Sequence, residues 1–229
     1  MLGFTVGFVV FVAALVWLYR SKQTDVAACA AALGLEQVSD TIERRGDTPE
    51  GLAFYDLLRA RGTVAGRSAD VWERTVRRPV DVKFRKSRGS ILTLLELAPA
   101  RLPAATFRLQ PAGAMGVVED LMKGTPTAHA TGDAAFDRAF RLYAEDAASA
   151  LAVLTPALRS DIMAFRRSVA GDLPASGVGN LAAGTVLGSF VIAADRVSYG
   201  AFGTPSATIG SHLRQAAPLL TRLAGAEPR

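Results

Sequence analysis

The chain has a single cysteine, Cys29, and only two histidines, His129 and His212, among its 229 residues. One cysteine excludes a disulfide framework and any multi-cysteine metal cluster. Two histidines so far apart in the sequence leave little from which to build a histidine-rich metal site. We therefore expect no bound metal and no cofactor.

Motifs that carry catalysis are missing as well. The sequence has no G-x-x-x-x-G-K-[ST] phosphate loop, no G-x-S-x-G elbow and no H-E-x-x-H zinc motif. Asp133 and Asp137 stand four apart and could act as cation ligands or as acid and base. The simpler interpretation is structural. Asp133 caps a turn, and Asp137 forms an ion pair with Arg138 or Arg141. The sequence thus predicts no enzyme, no catalytic residue and no identified small-molecule substrate.

The chain is rich in apolar residues, and an uncharged run occupies residues 2–19. Eighteen helical residues span about 27 Å, close to the thickness of a bilayer's hydrocarbon core. Aromatic rings and then cations end the run, as at a membrane interface. The predicted interface residues are Trp17, Tyr19, Arg20 and Lys22. We predict a transmembrane anchor over residues 1–22 that contacts membrane lipids through residues 2–19.

Two other interpretations of this run are weaker. A cleaved signal peptide would place basic residues before the apolar core and a small-residue cleavage site after it. A buried helix of a soluble protein is rarely apolar on every face. Because Arg20 and Lys22 follow the span, the positive-inside rule predicts that the N-terminus lies outside and residues 23–229 lie in the cytoplasm.

Residues 23–229 are predicted to form one α+β domain with a mainly antiparallel sheet and flanking helices. Its basic sheet region is 51–110, where the run V-D-V-K-F-R-K at 80–86 alternates apolar and charged residues. Nearly continuous apolar residues at 91–97 indicate a more buried strand. Alternation at 107–109 indicates another.

Helices and a hairpin are predicted around this sheet. Thr24 or Asp25 is expected to begin a short alanine-rich helix, and residues 36–50 are expected to form a loop. The region 130–225 is predicted to contain a helix, a hairpin and a helix. Further predictions are a helix over 114–122, a helix beginning at Thr155-Pro156, a glycine-rich loop over 168–185 and a hairpin over 186–203. The terminal helix is expected to have a kink or a break near Ala217, because Pro218 lies inside it.

Positive charge is concentrated in the middle of the chain. Between Arg59 and Arg108 there are twelve Arg or Lys against four Asp or Glu, whereas the whole chain has a net charge of +5. A solvated face that protects a sheet edge, an anionic lipid surface and a protein partner all remain open explanations. Nucleic acid is disfavoured, because no aromatic platform is interleaved with the charges. The candidate basic binding face comprises Arg74, Arg77, Arg78, Lys83, Arg85, Lys86 and Arg88.

The motifs T-G-D-x-x-F-D-x-x-F at 131–140 and L-T-P-x-L-R at 154–159 precede the predicted hairpin and the leucine-rich helix. In this order, residues 130–225 resemble bacterial single-span membrane proteins with a cytoplasmic domain of unknown function. The resemblance implies that Phe136 and Phe140 pack in the fold, and it brings no catalytic residues. The glycine-rich stretch at 168–185 departs from the compact form expected of such proteins.

The sequence therefore favours a non-enzymatic, membrane-anchored protein whose cytoplasmic domain binds a protein partner or the anionic membrane surface. The alternative is an accessory single-span subunit of a larger inner-membrane complex, in which Gly3 and Gly7 allow close helix contact. A membrane-tethered enzyme using Asp133, Asp137 or His129 is the least favoured hypothesis.

Overall fold

A computed structural model describes residues 25–39, 42–47, 53–76, 90–99, 103–112, 128–171 and 187–223. The predicted membrane span, the predicted strand at 80–86 and the predicted helix at 114–122 lie outside these ranges. The glycine-rich stretch lies outside them from residue 172 to residue 186.

The fold is α+β and is built on one nine-stranded sheet, which confirms the predicted class. All pairings between its strands are antiparallel. The order across the sheet is β1-β3-β4-β5-β9-β8-β6-β7, and β2 also pairs with β3. The strands are β1 (Glu36–Gln37), β2 (Glu43–Asp47), β3 (Ala53–Val64), β4 (Arg67–Val76), β5 (Ser90–Leu97), β6 (Phe107–Pro111), β7 (Phe140–Ala144), β8 (Phe190–Ile192) and β9 (Val197–Phe202).

The predicted loop over 36–50 is wrong where β1 and β2 form. Both short strands pair with the same side of β3, one with its C-terminal half and the other with its N-terminal half. Their residues are mostly charged and carry no period-two apolar signal. Pairing with the long strand β3 supplies the stability that local propensity does not. A charged outer strand also discourages pairing with another chain.

Five helices accompany the sheet in the described part of the chain. The sequence predicted the starts of two of them: Asp25 caps the first, and the Thr155 hydroxyl accepts from the Leu158 N–H at the start of the fourth. The helices are α1 (Val26–Leu33), α2 (Ala134–Ala139), α3 (Ala147–Val153), α4 (Pro156–Ala170) and α5 (Ala207–Leu223).

Two predictions near the C-terminus need correction. The expected loop begins later than residue 168, because α4 continues to Ala170 before Gly171 ends it with a positive φ of 69°. Of the kink or break expected near Ala217, the break does not occur, since α5 continues past Pro218 to Leu223. Proline in a helix interior removes one hydrogen bond. Burial of the apolar side of α5 offsets that loss, with Leu213, Leu220 and Leu223 almost fully covered.

The main core lies on one face of the sheet, beneath α1, α4 and α5. Phe165 of α4 packs edge-on against Phe190 and Tyr199 of the β8–β9 hairpin, with ring centroids 5.8 and 5.3 Å away. Phe136 and Phe140 are buried and stack with centroids 5.3 Å apart. On the opposite face, a smaller cluster contains Leu58, Trp72 and Leu94.

No single helix among the described residues is both long and apolar enough to span a membrane. Helices α3 and α4, which meet at a bend of 74°, reach the required length and composition only as a pair.

Candidate interaction surface at one end of the sheet

The described chain begins at Asp25, and two contacts fix this residue on the fold. Its carboxylate accepts from the Ala28 N–H at 2.9 Å and so caps α1. Its own N–H donates to the Pro205 carbonyl at 2.9 Å, just before α5 begins. The start of α1 is therefore tied to the start of α5.

Close packing between α1 and α5 reinforces this tie. A Cβ placed on Gly210 of α5 would lie 2.7 Å from the Cys29 carbonyl oxygen and 2.8 Å from the Ala32 methyl group. Only glycine allows the backbones to approach this closely. The alanine-rich sequence of α1 serves the same approach, because its small side chains leave room for the neighbouring helix.

Helix α1 runs from one end of the sheet toward the other. At its C-terminal side, Leu35 lies against Gly62 of β3, where an added Cβ would be 2.9 Å from the leucine. Gly62 is close to the Ala65–Gly66 turn that joins β3 to β4. We call the sheet end with this turn the distal end and the end that holds Asp25 the proximal end.

Strand β4 ends and strand β5 begins at the proximal end as well. Val76, the last residue of β4, pairs with Ser90, the first residue of β5. The adjacent Ile91 carbonyl accepts from the Gly203 N–H at 3.0 Å, and the Thr93 hydroxyl donates to the Gly203 carbonyl at 2.8 Å. One residue, Thr204, separates Gly203 from Pro205, the partner of Asp25. Both flanks of residues 77–89 therefore lie beside the start of α1.

At the proximal end, four side chains form a row across the neighbouring strands β2, β3, β4 and β5. Arg45 pairs with Tyr55, Tyr55 with Thr75, and Thr75 with Ile91. Directly opposed residues in antiparallel strands point to the same face. The Arg45 side chain is 77% exposed, and Ile91 is one of two exposed large hydrophobic residues among those described. Arg45, Tyr55, Thr75 and Ile91 form what we call the proximal row. It combines a cation, a phenol and an exposed aliphatic group.

The phenol of the proximal row has defined partners. Tyr55 donates its hydroxyl proton to Glu43, and this hydrogen bond raises the pKa of Tyr55. Arg45 lies 5.3 Å from the centre of the Tyr55 ring and 3.6 Å from the Glu43 carboxylate. The cation is therefore oriented along the surface while it stays open to solvent.

On the other face of the same strands, a buried carboxylate joins two arginines. Asp56 is fully buried and accepts from Arg74 twice at 2.8 Å and from Arg44 at 2.5 Å. Arg44 also donates two bonds, of 2.7 and 2.6 Å, to Glu96. Its guanidinium lies 4.1 Å from the centre of the Trp72 ring. Arg44, Asp56, Arg74 and Glu96 form the ion cluster. Each of its carboxylates has a charged partner, which is the condition for burying a carboxylate.

Arg74 is the one residue of the candidate basic face that the structure describes. Its guanidinium is held by Asp56 and stacks 4.0 Å above the Phe54 ring. With its charge compensated in this way, Arg74 adds little to any basic surface. The other six residues of that face, and the predicted interface residues Trp17, Tyr19, Arg20 and Lys22, lie outside the described ranges.

The two aspartates considered as catalytic groups are engaged in local structure. Asp133 caps α2 through the N–H groups of Ala135 and Phe136, as predicted. Asp137 accepts from the Thr131 N–H and from its hydroxyl, the latter at 2.7 Å. Both carboxylates therefore hold the start of α2 in place.

The histidines and the cysteine are not brought together. His129 Nε2 lies 2.9 Å from the Ala144 carbonyl. On α5, burial lowers the pKa of His212. Burial also raises the pKa of the Cys29 thiol to about 11, which makes it a poor nucleophile. Within the described residues no three His, Cys, Asp or Glu side chains are grouped so that they could hold a metal ion.

An open groove lies between α4 and α5. Its volume is about 420 Å³, and Phe165, Pro218 and Leu219 form part of its lining. Asp161 and Arg222 pair across it. The polar groups that flank the apolar lining are thus already bonded to one another.

Sequence reasoning missed both the ion cluster and the proximal row. Asp56 interrupts the apolar run A-F-Y-D-L-L, and a charge inside such a run is a signal for a buried ion pair. The proximal row depends on the strand register, which period-two patterns do not specify across four strands.

Comparisons with protein-family models, with curated proteins and with solved structures give no significant match to this chain.

Proposed function

We propose that this chain is a non-enzymatic, single-span protein of the bacterial inner membrane, with its N-terminus outside. Its folded region, on the cytoplasmic side, binds a protein partner or the anionic membrane surface. Residues 2–19 supply the anchor, and Arg20 and Lys22 set its orientation.

The observation that carries this proposal is the fixed position of Asp25. Only six residue steps separate it from Tyr19, the end of the apolar run. An extended chain advances at most about 3.6 Å per residue, so Asp25 lies within roughly 22 Å of the end of the anchor. Because Asp25 is tied to Pro205 and α1 to α5, the whole sheet is held near the membrane with its proximal end leading.

The lack of an assembled polar site among the described residues supports a binding role. Asp133 and Asp137 hold the start of α2, and His129 contacts a backbone carbonyl. In the interhelical groove, the charged side chains pair with each other. A catalytic site needs acid, base or nucleophile converging on one reacting atom, and the described groups do not converge.

Membrane extraction of the full-length chain tests the anchor. We expect the chain to stay in the membrane pellet after an alkaline carbonate wash and to be released by detergent. Val10→Arg combined with Ala14→Arg should move it to the supernatant, since each arginine near the middle of a span costs about 2.5–3.5 kcal/mol.

A matched control places the same two charges on the folded region. Ala98 and Ala157 are exposed, so Ala98→Arg combined with Ala157→Arg should leave the chain in the pellet. Release of the unaltered chain by carbonate alone would contradict the anchor. Digestion of the folded region by protease added outside spheroplasts would contradict the orientation.

The accessory-subunit alternative depends on the Gly3–Gly7 spacing. Affinity purification of the full chain in mild detergent distinguishes the two roles. Stoichiometric membrane proteins that are lost in a Gly3→Leu, Gly7→Leu variant would favour the complex. Recovery of the chain alone would count against it.

A further inference from the structure

We propose that the outer side of β2 binds an extended segment of a partner protein, which joins the sheet as a further antiparallel strand. The proposal rests on the proposed function, because it names the kind of protein partner that the folded region recognises. In such an added strand, main-chain hydrogen bonds give affinity and alternate side chains give specificity. We call residues 42–47, which would receive the strand, the β2 edge.

The backbone of β2 has hydrogen-bonding groups on its outer side. The Leu58 N–H donates to the Ile42 carbonyl at 3.0 Å, so Ile42 turns its backbone groups toward β3. Backbone groups alternate in direction along an antiparallel strand. Glu43 and Arg45 therefore turn their N–H and C=O groups away from β3, on a side where no described strand pairs with β2.

The β2 edge is open to solvent. Ile42 is 40% exposed, the Arg45 side chain is 77% exposed, and Gly46 is exposed as well. The outer strand at the opposite side of the sheet differs, because the His129 N–H donates to the Leu142 carbonyl of β7 at 2.8 Å. Part of the outer side of β7 is thus occupied, whereas the β2 edge offers room for a strand.

The charges on one face of the β2 edge specify side chains of the partner. Glu43 and Arg45 point to the same face, because they stand two residues apart in a strand. A basic residue opposite Glu43 and an acidic residue opposite Arg45 would each form a favourable cross-strand pair. Charge on an outer strand discourages pairing in general. Here the order of the two signs restricts pairing to a segment with the complementary order.

The other face of the β2 edge favours apolar side chains in the partner. Ile42 is an exposed large hydrophobic residue, and a Cβ placed on Gly46 would lie 2.8 Å from the Phe54 ring. An apolar side chain opposite Gly46 would therefore contact that ring. Arg44, between them, is bound within the ion cluster, so the position opposite it requires no particular charge. From its N-terminus, the complementary segment is apolar, acidic, unrestricted, basic and apolar.

A synthetic peptide of this pattern tests the proposal on the full chain in nanodiscs of neutral lipid. The probe is T-V-E-T-K-V-T, blocked at both ends and labelled with a fluorophore, and fluorescence anisotropy measures its binding. The control peptide T-V-K-T-E-V-T has the same composition with the charges exchanged. We expect the probe to bind roughly tenfold more tightly, since the exchange turns two favourable cross-strand pairs into two unfavourable ones. Equal binding of the two peptides would overturn the proposal.

Methylation of the peptide backbone tests whether the probe binds as a strand. Its two charged residues are expected to turn their N–H groups toward β2, whereas the central threonine turns its N–H away. N-methyl groups on both charged residues should weaken binding by at least about twentyfold, because two hydrogen bonds are lost. One N-methyl group on the central threonine should change binding by less than about threefold. Similar effects of the two modifications would contradict an added strand.

Exchange of charges on the chain tests the two recognition residues. Glu43→Arg combined with Arg45→Glu keeps the net charge and should reverse the preference between the two peptides. The matched control, Asp195→Arg with Arg196→Asp, exchanges two exposed charges in the turn between β8 and β9 and should keep the preference. An unchanged preference in the first variant would refute the role of its two residues. The methylation series needs no variant, so its outcome stands even where the exchange disturbs β2.

Failure of this proposal is distinguishable from failure of the proposed function. A chain that enters nanodiscs but binds both peptides equally lacks the strand site and keeps its anchor, whereas a chain that fails to enter them contradicts the anchor. We expect the same affinity for the probe in neutral and anionic nanodiscs. Displacement of the probe by anionic lipid would assign the β2 edge to headgroups, and chain dimers that exclude the probe would assign it to a second copy. Either result overturns the proposal.

Discussion

The two ends of the sheet are built in contrasting ways. The distal end closes β3 onto β4 with the turn Ala65–Gly66 and holds the local pair Arg61–Asp70. The proximal end gathers the start of α1, the start of α5 and both flanks of residues 77–89. The distal end is thus closed by short turns, whereas the proximal end joins the starts of two helices to both flanks of residues 77–89.

This difference indicates where the fold meets its surroundings. At the distal end the turn is short, and Arg61 is paired with Asp70. The proximal end combines exposed Arg45 and Ile91 with the flanks of a segment that has a net charge of +5. In the proposed anchored protein, the link through Asp25 would give this asymmetry a direction relative to the membrane.

We expect the largest loss of stability from removing the buried charge of Asp56, which lies close to the proximal row. Asp56→Asn leaves Arg44 and Arg74 without their shared carboxylate, and breaking a buried ion pair costs about 3–5 kcal/mol. We expect a loss near 3 kcal/mol in the free energy of unfolding by denaturant titration, because both arginines keep some solvent contact. The distal counterpart, Asp70→Asn, should cost less than about 1 kcal/mol, since its pair with Arg61 is exposed. Equal losses would contradict the contrast between the ends.

The next effect concerns the packing of α1 on α5. Gly210→Ala should gain about 1 kcal/mol from helix propensity. The new methyl group would however lie 2.7 Å from the Cys29 carbonyl and force the helices apart. Overpacking costs about 1–3 kcal/mol, so after the propensity gain we expect a net loss of up to about 2 kcal/mol together with faster hydrogen exchange in α1. Ser211→Ala in the same helix is the control and should change stability by less than about 0.5 kcal/mol. A stabilised Gly210→Ala variant would show that α1 is not held against α5.

A smaller effect, of opposite sign, is expected at the distal turn. Ala65 has a φ of 50°, a conformation that costs a non-glycine residue about 1–2 kcal/mol. Ala65→Gly should relieve this strain and, after the extra entropy of the unfolded chain, stabilise the fold by about 0.5–1 kcal/mol. Gly66→Ala should destabilise by a similar amount through its φ of 74° alone, because no atom lies within 4 Å of the added methyl group. Thermal unfolding should therefore give a higher melting temperature for Ala65→Gly and a lower one for Gly66→Ala than for the unaltered chain.

The smallest effect is a pH dependence from His212 on α5. Burial lowers the pKa of this histidine below its ordinary value of 6.5 in the folded protein. The unfolded chain therefore binds more protons between the two values, and the free energy of unfolding rises with pH up to about 6.5 and then levels. His212→Gln should flatten this part of the profile and leave the region above pH 7 unchanged. Parallel profiles below pH 6.5 for both proteins would contradict this account of the histidine.

Much of the fold could be predicted from local patterns. Period-two alternation placed the strand at 107–109, a continuous apolar run placed the strand at 91–97, and the Thr155-Pro156 pair placed the start of α4. These features are encoded by neighbouring residues. The strands β1 and β2 were missed because their charged residues form strands only by pairing with β3.

The candidate surface was less predictable, for a related reason. The excess of positive charge was visible in the sequence, but Arg74 was grouped with it although Asp56, eighteen residues earlier, compensates its charge. The proximity of Asp25 to Ile91 depends on contacts through Pro205 and Gly203, more than 100 residues away in sequence. Long-range register of this kind follows from the assembled sheet and not from any one segment.

Hydrogen exchange of the full chain in lipid nanodiscs tests most directly whether the proximal end faces the membrane. In nanodiscs with anionic lipid, compared with neutral nanodiscs, we predict slower exchange for amides at residues 74–76, 90–92, 203, 204 and 206. Amides at residues 63–68 of the distal end should exchange at the same rate in both. Slower exchange at the distal end, or no difference at either end, would contradict the account.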